Sequence, residues 1–306
     1  MQTTIKSPVT FRDVGLHSGK QVDLTIQPAS AEYGIWFRRT DVEVGDALIP
    51  ARWDAVTSTN LSTLISNSSG VKMSTVEHVL AALAGCGVHN ALIEVNGPEV
   101  PILDGSAAEF VRGIVSRGVR QLDAPVRAIR ILQEVVVRDG DAVARLVPSD
   151  AFEIEFQIDF ADKAIGKQKK RLNMANGSFV RELSTSRTFC RLSDVETMQA
   201  NGLAQGGSLN NAIVVDGDVI LSPGGLRYDD EAVRHKMLDA LGDLSLAGAA
   251  IFGRYIGERA GHAMTNKLLR ALFARPDAYR IELCDEESAR LLPGVGVIPA
   301  DIPAVA

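Results

Sequence analysis

Only five of the 306 residues are histidines, at positions 17, 78, 89, 235 and 262, and the neighbours of each decide what chemistry is open to it. His235 and Asp239 lie four residues apart in a stretch, about 230–247, whose apolar positions Met237, Leu241 and Leu244 recur at helical spacing. Four residues advance a helix by roughly 40° beyond a full turn, so imidazole and carboxylate share one face while the apolar side chains turn toward a core. One helix can supply two metal ligands in this way, and the same spacing also serves an ordinary surface pair. Lys236 and Asp243 flank that face, as the rim of a site or as a wetted surface.

A second histidine of this kind is His78, on a helix expected at about 75–84, where Val76, Val79, Leu80 and Leu83 form an apolar stripe. His78 points away from that stripe, with Ala81 and Ala82 as small neighbours. Glu77 beside it has two readings. The run Ser74-Thr75-Val76-Glu77 has the form of a capping box, with glutamate three residues after the cap. A carboxylate next to a metal-bound histidine can equally serve as a general base toward water. Together the two helices offer His, His and Asp, the three protein ligands that leave a position open in catalytic zinc sites. Fe(II) accepts the same donors. His262, in a glycine-bearing turn entering a helix, reads either as an ordinary loop histidine or as a cation that holds a developing oxyanion or protonates a leaving group. His17, in GLHSG, lies in a tight turn and is open to either a structural or a binding role, and His89 is read as structural.

The elements that must position these residues read as two similar halves. Alternating stretches such as 21–26 predict strands. Helices near 75–84 and 106–117 flank the strand 91–95. In the second half, strands at 126–132 and 152–158 precede helices at 230–247 and 263–274. The leading helices share V-x-H-x-[LM]-x4-G, ending at Gly85 and Gly242, which suggests a duplication. The segment QLDAPV (121–126) is the expected linker. The two halves, 1–122 and 126–285, thus each carry strands, a helix, a connection and a second helix, an α+β pattern. Residues 187–215 read as a strand-helix-strand insertion with a Gly-Gly turn. The basic run 163–171 reads as a solvated hairpin. Residues 286–306 form a tail whose apolar end, 298–306, is expected to lack regular structure and to be open to recognition by a protease.

Composition narrows the classes. A net charge of −6 makes nucleic acid a poor partner. No apolar run is long enough for a membrane span and the start lacks a secretory h-region. Three scattered cysteines suggest no disulfide framework, so the expected location is cytoplasmic.

The motifs Thr75-Val76-Glu77-His78, PILDGSA (101–107), SRTF (186–189), VRHKMLDALGDL (233–244) and GHAMTNKLL (261–269), with GLHSG (15–19) and GLRYDDE (225–231), together resemble one family. It is the UDP-3-O-acyl-N-acetylglucosamine deacetylase family of lipid A biosynthesis, and the likeness runs from about residue 3 to about 285; it implies an α+β fold of two similar domains, each a β-sheet layered against a pair of helices, with the active site at their interface. The resemblance implies one divalent metal per chain, Zn²⁺ in the first place and Fe²⁺ as the alternative, on His78, His235 and Asp239. It implies Glu77 as general base and His262 as the cation that steadies the oxyanion and protonates the departing amine, with Asp243 orienting it. Thr188 would donate to the oxyanion, Lys236 would contact the diphosphate side of the acylated UDP-sugar, and Phe189 would lie against the nucleotide or sugar. Leu203, Ala212 and Val214 would line a passage for the 3-hydroxyacyl chain, with His17 and Leu61 also toward substrate. Leu61-Ser62-Thr63 departs from relatives that carry cysteine near the site, which bears on acyl-chain fit. The readings kept beside this one are a different amidohydrolase acting on another acylated sugar nucleotide, and a binding module in which the metal is structural.

Overall fold

The computed structural model describes residues 1–304. Six α-helices are present among them, α1 (Glu77–Gly85), α2 (Ala108–Arg117), α3 (Leu192–Ala200), α4 (Glu231–Ser245), α5 (His262–Phe273) and α6 (Glu286–Arg290), together with a π-helical turn at Phe179–Leu183 and two 3-10 turns. The strands follow the alternation of their sequences. In Gln21–Pro28 the side chains of Val22, Leu24 and Ile26 are buried, and in Phe152–Asp159 those of Phe152, Ile154, Phe156 and Ile158 are, with polar residues between. Successive side chains point to opposite faces, so such strands can cover a core on one side and meet water on the other.

The architecture is mixed α+β, and its two halves repeat one pairing scheme. In the first, Val9–Val14 pairs with Gln21–Pro28, which pairs antiparallel with Ala91–Val95; that strand pairs parallel with Ile35–Arg39, which pairs antiparallel with Leu48–Pro50. In the second, Val135–Asp139 pairs with Ala142–Val147, then antiparallel with Ala250–Glu258; that strand pairs parallel with Phe152–Asp159, which pairs antiparallel with Lys167–Asn173. Helices α1 and α2 bracket the central strand of the first sheet, and α4 and α5 that of the second. The faint sequence repeat is thus matched by equal topology. Arg127–Ile131 and Tyr279–Leu283 extend the second sheet beyond this shared pattern.

Both halves also carry an addition at the same point, between the last sheet strand and the leading helix. In the first half it is the small sheet Val56–Ser58, Leu64–Ser66, Lys72–Met73. In the second, Phe189–Arg191 and Ile213–Asp216 run parallel with α3 between them, matching the strand-helix-strand expectation for 187–215. The basic hairpin strand is neutralised across its pair, Lys169 to Glu155 at 2.7 Å and Arg171 to Glu153 at 2.9 Å. Lys170 reaches Asp230 at 3.0 Å.

Three expectations need correction. Helices α1 and α4 are not half-wet: α1 is buried on nearly every side and α4 on most of its circumference, because they pack against each other. Contact is close enough that a Cβ on Gly242 would lie 2.1 Å from the Glu77 carbonyl oxygen, so only glycine fits there. The capping box does not form. Ser74 Oγ donates to the Pro98 carbonyl, and Glu77 is itself the first helical residue, its side chain turned away from the cap. Finally, the chain end is ordered in part. Residues Pro299–Asp301 make a 3-10 turn in which Asp301 accepts from the Ile298 amide and from Arg181, each at 2.9 Å, and Leu292 is buried. An ion pair to a helical segment overrides the weak propensity of the proline-rich sequence. The last two residues of the 298–306 expectation lie outside the described residues.

Candidate active site

The site is built where the first turn of α1 meets α4 and the start of α5. Thr75, just before α1, has φ of +58°. A β-branched residue in the left-handed region is strained by roughly 1–3 kcal/mol. Its hydroxyl donates to Glu99 Oε1 at 3.1 Å, and the same carboxylate accepts the His17 and Ser18 amides, each at 2.9 Å. That buried anchor sets the angle at which the chain enters α1 and aims Glu77 and His78 across to α4.

His78, His235 and Asp239 are all buried and offer three donor atoms within 4.8 Å of one another. Asp239 Oδ1 lies 3.2 Å from His235 Nε2 and 3.6 Å from His78 Nε2, and the two rings stand edge to face at 5.0 Å. Asp239 Oδ1 has no hydrogen-bond partner although it is buried. Its other oxygen accepts from Lys236 Nζ at 2.8 Å. An orphaned buried anionic oxygen is costly unless something positive completes it. Burial pushes the His235 imidazole down to about 4, with Asp239 opposing, so the ring is neutral near pH 7. Its Nδ1 faces the Ser186 carbonyl at 3.0 Å, which accepts a proton-bearing nitrogen and leaves Nε2 with a free lone pair toward Asp239. The donor set therefore fits a divalent cation. Two nitrogens and one carboxylate suit zinc and iron(II) alike.

Glu77 and His262 stand beside this cluster. Glu77 Oε2 accepts the Thr63 amide at 3.1 Å, and Oε1 is 3.8 Å from His262 Nε2. Burial pushes the Glu77 carboxyl above its ordinary range, while His262 and His78 pull the other way. His262 Nδ1 pairs with Asp243 Oδ2 at 2.8 Å, and Asp243 Oδ1 accepts from Thr63 Oγ1 at 2.6 Å. Burial works against the imidazolium, but Asp243 and then Glu77 outweigh it and hold its pKa up at about 9. A carboxyl whose pKa burial raises and a cation that persists through neutral pH thus sit within 4 Å of each other. Burial likewise disfavours the Lys236 ammonium, yet Asp239 raises its pKa above the ordinary value.

These groups open onto a cavity of about 1030 Å³. Every residue singled out for the site lines it except Asp243, which lies behind His262: Glu77, His78, Thr188, His235, Lys236, Asp239 and His262 at the polar end, then Phe189, Leu203, Ala212, Val214, Leu61 and His17. Phe189 packs edge-on to Phe160 at 5.4 Å and lies 6.4 Å from the His235 ring. Leu61 takes φ +66° and is 48% exposed. Both His17 ring nitrogens are buried without a partner. His89 lines no part of this cavity; its Nδ1 meets Thr3 Oγ1 at 2.8 Å, in keeping with a structural role. Sequence reasoning missed Thr63, which joins Glu77 to Asp243, and Met198 of α3, which lines the apolar arm. Neither carries a periodic or motif signal.

Residues 2–274 match the family model described as UDP-3-O-acyl N-acetylglycosamine deacetylase. The chain belongs to this family. Curated relatives named UDP-3-O-acyl-N-acetylglucosamine deacetylase agree with the match. That of Phenylobacterium zucineum is 50% identical over 288 residues, covering 94% of this chain and 98% of the relative. The relative from Shewanella woodyi is 45% identical over 290 residues, covering 94% of this chain and 95% of its own. A third, from Pasteurella multocida, is 45% identical over 290 residues with the same coverage. Among the described residues no helix is long and apolar enough to cross a membrane.

Proposed function

We propose that the chain is a metal-dependent amidohydrolase of the cytoplasm that removes the N-acetyl group of UDP-3-O-(3-hydroxyacyl)-N-acetylglucosamine, releasing acetate, as a step of lipid A biosynthesis. Its two domains are 1–122 and 126–285, with the site at their interface. What carries the reading is the convergence of Glu77, His262 and the His78-His235-Asp239 cluster on the wall of a largely apolar cavity, in a chain of this family. His78, His235 and Asp239 would hold the metal, zinc in the first place. When bound, it supplies a Lewis acid that acidifies water and polarises a carbonyl.

The chain's own residues do the rest. Glu77 takes the proton of the attacking water as its oxygen bonds to the acetyl carbon. Thr188 and the His262 cation stabilise the oxyanion so formed. The C–N bond then breaks, His262 protonates the departing nitrogen, and the products are acetate and the free 2-amino sugar. Asp243, held by Thr63, keeps His262 protonated and oriented. Lys236 faces the diphosphate side, Phe189 lies against the sugar or nucleotide, and Leu203, Ala212 and Val214, with Leu61 and His17 nearby, receive the acyl chain.

The test is acetate release from defined UDP-3-O-acyl-N-acetylglucosamines of graded chain length, with metal analysis of the same sample. Turnover that falls steeply as the chain shortens supports the reading. Equal turnover for a sugar nucleotide without an acyl chain would point to another substrate.

A further inference from the structure

One face of α4 carries acidic or ligating residues at every fourth position: Glu231, His235, Asp239 and Asp243. The last three belong to the site already described. Glu231 does not touch the cavity, yet it is 1% exposed and its carboxylate is fully engaged. Oε1 accepts the Arg187 amide at 3.0 Å and Arg187 Nε at 2.9 Å; Oε2 accepts Arg187 Nη2 at 3.1 Å and the Arg227 amide at 2.6 Å. Arg187 is itself buried, and its Nη2 also donates to the Gly225 carbonyl at 2.8 Å. A carboxylate and a guanidinium are placed so deeply only where every lone pair and proton finds a partner.

The segment gripped in this way is the one that serves the site. Ser186, immediately before Arg187, offers the carbonyl that meets His235 Nδ1, and Thr188, immediately after, lines the cavity. One turn of α4 separates Glu231 from His235, so the helix holds residues 186–188 at two points: a carboxylate on the Arg187 amide and side chain, and an imidazole on the Ser186 carbonyl. Removing the first hold leaves the second to define the register alone. The Ser186 carbonyl can then drift from Nδ1, and the His235 ring loses what decides which nitrogen carries its proton.

We propose that Glu231, through its buried pair with Arg187, is a positioning residue that fixes the His235 tautomer and the placement of Thr188. This deepens the deacetylase reading and rests on it for the role of Thr188 alone; the tautomer claim is independent of substrate.

The experiment compares the wild-type chain with Glu231→Gln, which is near-isosteric, and Arg187→Lys, which keeps the charge. In metal-free protein, ¹⁵N shifts of the His235 ring report the tautomer directly. The wild type should show a single Nδ1-protonated form, and both variants a mixture. In metal-loaded protein, zinc retention against a chelator should weaken about 10–100-fold, the usual scale for a lost outer partner of a ligand histidine. With kcat lowered and KM within about threefold, the effect would lie on the reacting groups and not on substrate affinity. A lower melting temperature with an unchanged His235 tautomer and unchanged zinc retention would overturn the proposal and leave the pair purely structural. Should Glu231→Gln fail to fold, Arg187→Lys carries the same readouts, because it keeps the charge and loses only the forked geometry. Failure of the deacetylase assay with the tautomer result intact would count against the substrate and not against this assignment.

Discussion

Replacing Glu77 by glutamine exchanges one carboxylate oxygen for an amide and alters little else. The Thr63 amide, 3.1 Å from Oε2, keeps an acceptor if the glutamine oxygen takes that position. The NH2 group then lies where Oε1 stood, 3.8 Å from His262 Nε2. Shape and burial are retained, so stability should move by less than about 1 kcal/mol, or about 2–4 °C in melting temperature. The three candidate ligands are untouched, and metal content should stay at one per chain. What is lost is the base. A positioned general base contributes roughly 10²–10⁴-fold, so kcat should fall by that factor, about 3–5 kcal/mol of barrier at 1.36 kcal/mol per tenfold. A second consequence follows from the charge. Glu77 comes after Asp243 among the groups that raise the His262 pKa to about 9. Without it the imidazolium loses its proton more easily, so the alkaline limb of the residual activity should move to lower pH. The assay is acetate release across pH with metal analysis of each sample. A variant within threefold of wild-type kcat would refute the base assignment, and parallel loss of metal and activity would show that Glu77 serves the metal instead.

His235→Ala and Asp239→Ala should each lose stoichiometric zinc with activity, read by metal analysis after dialysis; unchanged content would remove the metal site. The wild type should show an alkaline limb near pH 9, because His262 is protonated below that value and neutral above it, and His262→Gln should remove that limb; a limb that persists unaltered belongs to another group. Gly242→Ala puts a Cβ 2.1 Å from the Glu77 carbonyl oxygen, and should cost about 1–3 kcal/mol through helix displacement, measured by denaturant unfolding, with kcat lowered because the displaced residue is the base. Leu203→Asp should raise KM for long-chain substrates and spare short-chain ones if the apolar arm receives the acyl chain.

How much of this was legible in sequence depends on the range of the signal. Helix and strand periods are local, so α4 at Glu231–Ser245, α5 at His262–Phe273 and the strand Ala91–Val95 lie within a residue or two of where the spacing places them. The i,i+4 relation of His235 and Asp239 follows from helix geometry alone. Tertiary structure decided what those residues face. Nothing in the sequence periodicity says that α1 packs on α4, yet that contact brings His78 to His235 across 156 intervening positions and buries both helices on most sides. Thr63 became the link between Glu77 and Asp243 because the chain just before Leu64–Ser66 meets both the start of α1 and, 180 residues away, α4, a contact with no local trace. The capping box failed for the same reason, since the Thr63 amide outcompeted the cap for the Glu77 carboxylate. Sequence by itself determined the elements, the family and the donor types. Only the packing of α1, α4 and α5 determined that Glu77, the His262 cation and three donor atoms meet on one cavity, because burial and shared partners are properties of distant segments in contact and not of spacing along a chain.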